Sequence, residues 1–150
     1  MAQSLAQIHV HLVFSTKDRA AVVTAEIAPR LHAYLAGILT RLDCPCAIVG
    51  GAADHVHLLF SLGREISIAS MVVKLKTASS KWIKMQGASF SKFAWQAGYG
   101  AFSVSASQFD RVADYIAQQE EHHRVTSFVD EFRTLLRRHK IAFDEKFVWG

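Results

Sequence analysis

The stretch that most constrains this chain is Asp54-His55-Val56-His57-Leu58-Leu59-Phe60. Val56, Leu58 and Phe60 alternate with His55 and His57, and successive side chains on a strand point to opposite faces. The spacing predicts a strand with one apolar face turned to a core and two imidazoles side by side on the other. Paired imidazoles on a stiff strand suit a metal ion. They also suit half-buried, hydrogen-bonded histidines that only pack, so the pair alone leaves both readings open.

The chain has 150 residues, 51% hydrophobic and 20% charged, which is enough for a proper core and reads as one ordered domain over 1–150. No apolar run approaches a membrane span, and Met-Ala-Gln-Ser-Leu-Ala-Gln at the start lacks the layout of a signal peptide. The expectation is a soluble, cytoplasmic protein with no membrane partner. Cys44 and Cys46 flank Pro45 and are too few for a disulfide framework. They read as small core residues beside a turn. A net charge of +4 and a pI near 9.3 are compatible with a polyanionic partner.

Alternation predicts a first strand over 8–14, followed by a polar loop carrying Lys17 and Arg19. Thr24 can cap a helix that runs to about Leu42, with Pro29 tolerated near its start. A short strand over 46–49, a Gly50-Gly51-Ala52-Ala53 connection and the His-x-His strand over 54–62 predict a hairpin. A helix over about 66–86 follows, with Ile68, Met71, Val72, Leu75, Trp82 and Ile83 on its apolar side. Lys74, Thr77, Lys81 and Lys84 line another face, either a solvated surface or one that meets phosphates.

The loop over 87–100 interleaves Phe90, Phe93, Trp95 and Tyr99 with Lys92. Those rings can stack on bases or anchor the loop to the core. A fourth strand is expected over 101–105, a helix over 108–123 and a last helix capped by Ser127. The tail, with Phe143, Phe147 and Trp149, is expected to dock on its own body or on a second subunit.

The order of elements predicts an α+β fold: a ferredoxin-like (RRM-like) βαββαβ antiparallel sheet with two further helices. The first and third strands are then central neighbours. His9 and His11 are expected on the same face as His55 and His57, where they would orient them.

Tyr115 and Gln119 stand four apart on one helical face. Brought to the His pair, Gln119 would add an amide oxygen and leave metal positions open for a phosphodiester. Such a nitrogen and oxygen set suits Mg²⁺ or Mn²⁺ better than a closed structural zinc site. Tyr115 would be the covalent nucleophile, its proton taken by His122 or by a water on the metal. Alone, Tyr115 reads as a half-buried helix tyrosine; the combination with His55 and His57 carries the chemistry.

Four stretches in order resemble one family: His11-Leu12-Val13-Phe14-Ser15-Thr16-Lys17, then 54–60, then Trp95-Gln96-Ala97-Gly98-Tyr99-Gly100-Ala101-Phe102-Ser103-Val104-Ser105, then Tyr115-Ile116-Ala117-Gln118-Gln119. Together they look like the IS200-like single-tyrosine HUH transposases, over about residues 8–145. The resemblance implies a ferredoxin-like homodimer that cleaves and rejoins single-stranded DNA at insertion-sequence ends, recognising terminal hairpins. By similarity, His55 and His57 bind the divalent metal, Gln119 completes the site, and Tyr115 forms a 5′-phosphotyrosine link, in its own subunit or its partner's. Hairpin contacts are assigned on charge alone, to Lys17, Arg19, Lys74, Lys81 and Lys84. The alternative is a domesticated regulator that binds a nucleic-acid hairpin on the same scaffold without cutting it.

Overall fold

The computed structural model describes residues 3–123, 125–145 and Val148. Four strands, β1 (His9–Ser15), β2 (Cys46–Ala52), β3 (His55–Ser61) and β4 (Gly100–Val104), form one sheet in the order β2-β3-β1-β4. Every neighbouring pair is antiparallel. With helices α1 (Ala28–Arg41) and α2 (Ile68–Lys84) as the crossovers, this is the expected ferredoxin-like α+β topology, and β1 and β3 are the central pair.

Alternation along the central strands sorts the two faces. Val10, Leu12 and Phe14 of β1 and Val56, Leu58 and Phe60 of β3 pack on Leu31, Leu35, Ile38 and Leu39 of α1 and on Met71, Val72, Leu75 and Ile83 of α2. Each such side chain, fully buried, contributes roughly 1.5–3 kcal/mol, so this face is the main source of stability. Ser67 caps α2 by accepting from the Ser70 N–H at 3.1 Å. Phe90, Phe93 and Trp95 of the long loop also join this core, and Trp95 Nε1 donates to Ser79 Oγ at 3.0 Å. Those three rings anchor the loop; Tyr99 is exposed.

The other face carries His11, Val13, His55, His57 and Phe102. It is covered by α3 (Phe109–Ala117), α4 (Gln119–His122) and α5 (Phe128–Arg138). Val13 and Phe102 form a second cluster with Phe128, Phe132, Leu135 and Leu136 of α5, and Phe143 and Val148 pack against it. The tail therefore docks on its own body at these two residues; Phe147 and Trp149 lie outside the described residues.

Two glycines let the covering helices approach the sheet. A Cβ at Gly50 would stand 2.5 Å from the Ile116 carbonyl oxygen, and one at Gly100 would stand 2.6 Å from the Phe132 ring.

Three expectations are corrected. Gly50 and Gly51 belong to β2, which pairs with β3 through Ala52↔His55, so the turn shrinks to Ala53-Asp54. Gly50 serves helix packing there and not chain reversal. The helix expected over 108–123 breaks at Gln118 (φ −103°, ψ 18°), giving α3 and α4. His9 shares the expected face but sits beyond the His pair, with Nδ1 3.0 Å from Ser61 Oγ and its ring against Phe109. Among the described residues, no helix is long and apolar enough to cross a membrane.

Candidate active site

His55 and His57 are fully buried on the central strand β3. Each has its Nδ1 engaged away from the helices: His55 Nδ1 lies 2.7 Å from Asp54 Oδ1, and His57 Nδ1 lies 2.7 Å from His11 Nε2. Each Nε2 therefore faces the α3–α5 layer. The β1–β3 register makes this possible, since Val13 pairs with His57 and His11 stands one step diagonal to it. Burial, and next the nearby His57, lower the His11 pKa to about 3. Burial likewise lowers that of His57 to about 4, against the pull of Glu131. Both rings are therefore neutral near pH 7, the state in which imidazole nitrogen has a lone pair to give.

The tyrosine helix reaches this pair within the same chain. The Tyr115 ring stands edge-on to His57 with centroids 5.8 Å apart. Gln119 is buried despite the break at Gln118, and its Oε1 lies 3.0 Å from His55 Nε2. The break rotates the chain but keeps it turning: the His122 and His123 amides bond back to the Gln118 and Gln119 carbonyls.

The residue that gathers these groups is Glu131 of α5, which is buried. Its Oε1 lies 2.9 Å from His57 Nε2, 3.1 Å from His123 Nε2 and 3.5 Å from His55 Nε2. Its Oε2 accepts the Tyr115 hydroxyl and the Gln119 amide N–H, the latter at 3.0 Å, and lies 3.3 Å from His122 Nε2. Burial alone would raise the Glu131 pKa. The contacts of His123 and His57, and the Tyr115 hydroxyl, reverse this and hold it well below the usual carboxylate range. Burial, and then Glu131 itself, push the Tyr115 phenol above its ordinary range.

Sequence reasoning missed Glu131, although a signal was there. Phe128, Glu131, Phe132 and Leu135 follow helical spacing, so an acid stands in an apolar stripe. Ser127 sets that helix by accepting from the Asp130 N–H at 3.2 Å. His123 was likewise not assigned a role.

The donors fit a divalent cation. Nε2 or Nδ1 of His55, His57 and His123 and one Glu131 oxygen all lie within 4.8 Å of one another. His123 Nε2 is buried and makes no hydrogen bond of acceptable geometry. In the tautomer whose Nδ1–H is given to Asp54, His55 turns a lone pair toward Gln119 Oε1, and a cation between those two acceptors would satisfy both.

The basic residues assigned from charge are not at this site. Lys74, Lys81 and Lys84 are exposed on α2, across the sheet from Tyr115, while Lys17 and Arg19 lie in the turn after β1. A different cationic surface is nearer: a cleft of about 650 Å³ beside Tyr115 is lined by Gln108, Arg111, Arg138 and His139.

Fold and site together define a ferredoxin-like α+β protein with a buried cluster of histidine, carboxylate, amide and phenol. The profile of the family described as "Transposase IS200 like" matches residues 4–119, and the chain belongs to that family. It is 26% identical over 120 residues, 77% of this chain and 86% of the relative, to the ISDra2 transposase TnpA of Deinococcus radiodurans. Among solved structures, it resembles a Deinococcus radiodurans chain assigned as a transposase, with TM-score 0.62, 24% identity and coverage of 80% and 96% of the two chains. It also resembles a REP-associated tyrosine transposase bound to a REP hairpin, with TM-score 0.60, 13% identity and coverage of 100% and 97%. His122, His123 and Glu131 lie beyond the span of the family match.

Proposed function

We propose that this transposase cleaves and rejoins single-stranded DNA at the ends of an insertion sequence, with Tyr115 as the nucleophile and a 5′-phosphotyrosine intermediate. The observation that carries the reading is the convergence of the Tyr115 hydroxyl with His55, His57 and Gln119 around one carboxylate of the same chain. On this reading Tyr115 serves the His pair of its own subunit.

His55, His57 and Gln119 would hold the divalent ion, Mg²⁺ or Mn²⁺. Bound there, the ion supplies a Lewis acid that draws charge from the phosphate oxygens. The protein's own groups do the rest. Tyr115 attacks phosphorus, its Oη–P bond forms, and the bond to the 3′ oxygen breaks, leaving a free 3′-OH for rejoining. Glu131 fixes the phenol's position by accepting its hydrogen bond. It is a poor final base, because the phenol holds its proton more tightly than usual and the carboxylate less. His122, whose ring centroid lies 5.3 Å from that of Tyr115, is the other candidate to receive the proton.

The cleft lined by Arg111 and Arg138 offers cations to the strand that enters beside Tyr115. Recognition of terminal hairpins, homodimer assembly, a single domain spanning 1–150 and a cytoplasmic location belong to the same proposal. So do hairpin contacts at Lys17, Arg19, Lys74, Lys81 and Lys84.

The deciding experiment incubates labelled single-stranded hairpin substrate with the protein and Mg²⁺ or Mn²⁺, then separates products on a denaturing gel. Wild type should give a covalent protein–DNA adduct, and Tyr115→Phe should give none while still shifting the hairpin in a native gel. An adduct that persists in Tyr115→Phe would exclude this nucleophile. Hairpin binding without any wild-type adduct would favour the regulator that binds and does not cut.

A further inference from the structure

We infer that, before DNA binds, His123 and Glu131 are themselves metal ligands, making with His55 and His57 a set of three imidazoles and one carboxylate that takes a transition-metal dication in preference to Mg²⁺, and that Gln119 and a phosphate oxygen replace His123 and Glu131 at the ion when the strand enters. This rests on the reading of His55 and His57 as a metal pair and deepens it. The ligand set differs from the one implied by resemblance, because both added groups come from the segment after the family match ends at residue 119.

Geometry is the first support. A tetrahedral ion with bonds of ~2.0–2.1 Å holds its donors roughly 3.3–3.4 Å apart. From Glu131 Oε1, the Nε2 atoms of His57, His123 and His55 stand at 2.9, 3.1 and 3.5 Å, which brackets that spacing. All four donors lie within 4.8 Å of one another, so modest side-chain shifts bring them to one ion.

Orientation is the second. The outward Nδ1 atoms of His55 and His57 are tied to Asp54 and His11, the arrangement that fixes ligand imidazoles with Nε2 toward a metal. Phe128 lies against the His55 ring at 4.6 Å, and the His123 ring meets the same imidazole at 4.3 Å, so rotation is blocked. His123 Nε2 is buried with no hydrogen bond of acceptable geometry. Its polar neighbour is Glu131 Oε1 at 3.1 Å, and a cation held between the two would satisfy both atoms.

Donor chemistry is the third. Mg²⁺ prefers oxygen ligands and retains water, whereas imidazole suits later transition metals such as Zn²⁺, and the affinity of a nitrogen and oxygen site rises from Mn²⁺ to Co²⁺. Three imidazoles and one anionic oxygen place the site with the transition metals. Of the two ions proposed above, Mn²⁺ is favoured. The arrangement also couples metal and nucleophile: Oε1 of Glu131 faces the histidines while Oε2 accepts from Tyr115. The ligand that closes the site is the group that holds the phenol.

The test uses the full chain freed of metal and titrated with Mn²⁺, Mg²⁺, Zn²⁺ and Co²⁺ separately. Affinity is read by calorimetry and coordination by the visible absorption of Co²⁺. Wild type should bind Mn²⁺ at least about tenfold more tightly than Mg²⁺, and Co²⁺ should show the intense bands of a low-coordinate site. His123→Ala and Glu131→Gln should each weaken Mn²⁺ and Co²⁺ binding by about tenfold or more and reduce those bands. His123→Asn, which keeps a polar side chain, guards against a folding defect, checked by circular dichroism. If binding is lost in His55→Ala but unchanged in His123→Ala, His123→Asn and Glu131→Gln, this inference falls and the His pair stands as a metal centre. Absence of binding to wild type would overturn both. Equal or tighter binding of Mg²⁺ would overturn the stated preference.

Discussion

Gly50 and Ile116 are in direct backbone contact: a methyl group at position 50 would stand 2.5 Å from the Ile116 carbonyl oxygen and 2.9 Å from its Cγ2. Ile116 follows Tyr115, so the closeness of β2 to α3 sets the height of the phenol above the His pair. Gly50→Ala is expected to cost about 1–3 kcal/mol, as overpacked cores do, and to lower adduct formation more than hairpin binding. Gly37→Ala inside α1, where an added Cβ meets nothing within 4 Å, is the control: it should leave adduct formation unchanged and raise stability by roughly 0.5–1 kcal/mol, the helix preference for alanine. Urea denaturation and the adduct gel read the two effects. A Gly50→Ala protein equal to wild type in both would show that this contact does not place Tyr115.

His11 holds His57 by one bond between buried rings. His11→Phe keeps a ring but removes the nitrogen, leaving His57 Nδ1 buried and unpaired. Losses of roughly 10–100-fold in metal affinity follow when such a supporting partner is removed. His11→Gln, which can still accept a hydrogen bond, should recover part of the loss. Calorimetry with Mn²⁺ on the three proteins checks the order wild type, Gln, Phe; a Phe variant that binds like wild type would show that His11 only packs.

How much of this was readable beforehand follows from the range of the interactions. Alternation in β1 and β3 is local, so the two sheet faces, the strand order and the seating of His11 near His57 were all legible. Tyr115 and Gln119 were legible as a four-residue pair even though the helix breaks between them, because α4 resumes the turn and Gln119 still faces inward. Glu131 was not, since its partners lie 74 and 16 residues away in the chain and the packing of α5 on β1 and β4 brings them together. Its one local mark, an acid inside an apolar stripe, is weaker than a His-x-His. The α2 lysines show the reverse case: their spacing was evident, but sequence could not say which side of the sheet they would occupy.

Stability without metal should fall on acidification. His11 and His57 have pKa values of about 3 and about 4 in the folded chain, below the ordinary 6.5. Between about pH 6.5 and 4 the unfolded chain takes up protons that the folded chain refuses, so stability rises with pH in that window. Each histidine contributes a slope of up to about 1.4 kcal/mol per pH unit, and the two act in the same direction. Glu131, held below the usual carboxylate range, adds to the fall at still lower pH. Urea denaturation in the presence of a chelator at pH 7, 6 and 5 should show a steadily lower midpoint. In His11→Phe the slope should be shallower; a slope unchanged by that substitution would mean that His11 titrates normally in the fold.

Lys74 and Lys81 are exposed on α2 and line one shallow groove with Trp82, whose ring stacks on Tyr34 at 5.0 Å. They form a surface where cations lie beside aromatic rings, but on the layer of the molecule opposite Tyr115. If hairpin stems dock there, removing both charges should weaken binding and leave the chemical step alone. Each lysine that meets a duplex phosphate contributes about 0.9 to the slope of log affinity against log salt, so Lys74→Ala with Lys81→Ala should flatten that slope by up to about 1.8. Adduct formation at saturating hairpin should be close to wild type, because no group near Tyr115 changes. Filter binding across a salt series, paired with single-turnover cleavage, separates the two. An unchanged slope would remove these lysines from the hairpin surface and move attention to Arg111 and Arg138 in the cleft beside the tyrosine, whose loss would act on binding and cleavage together.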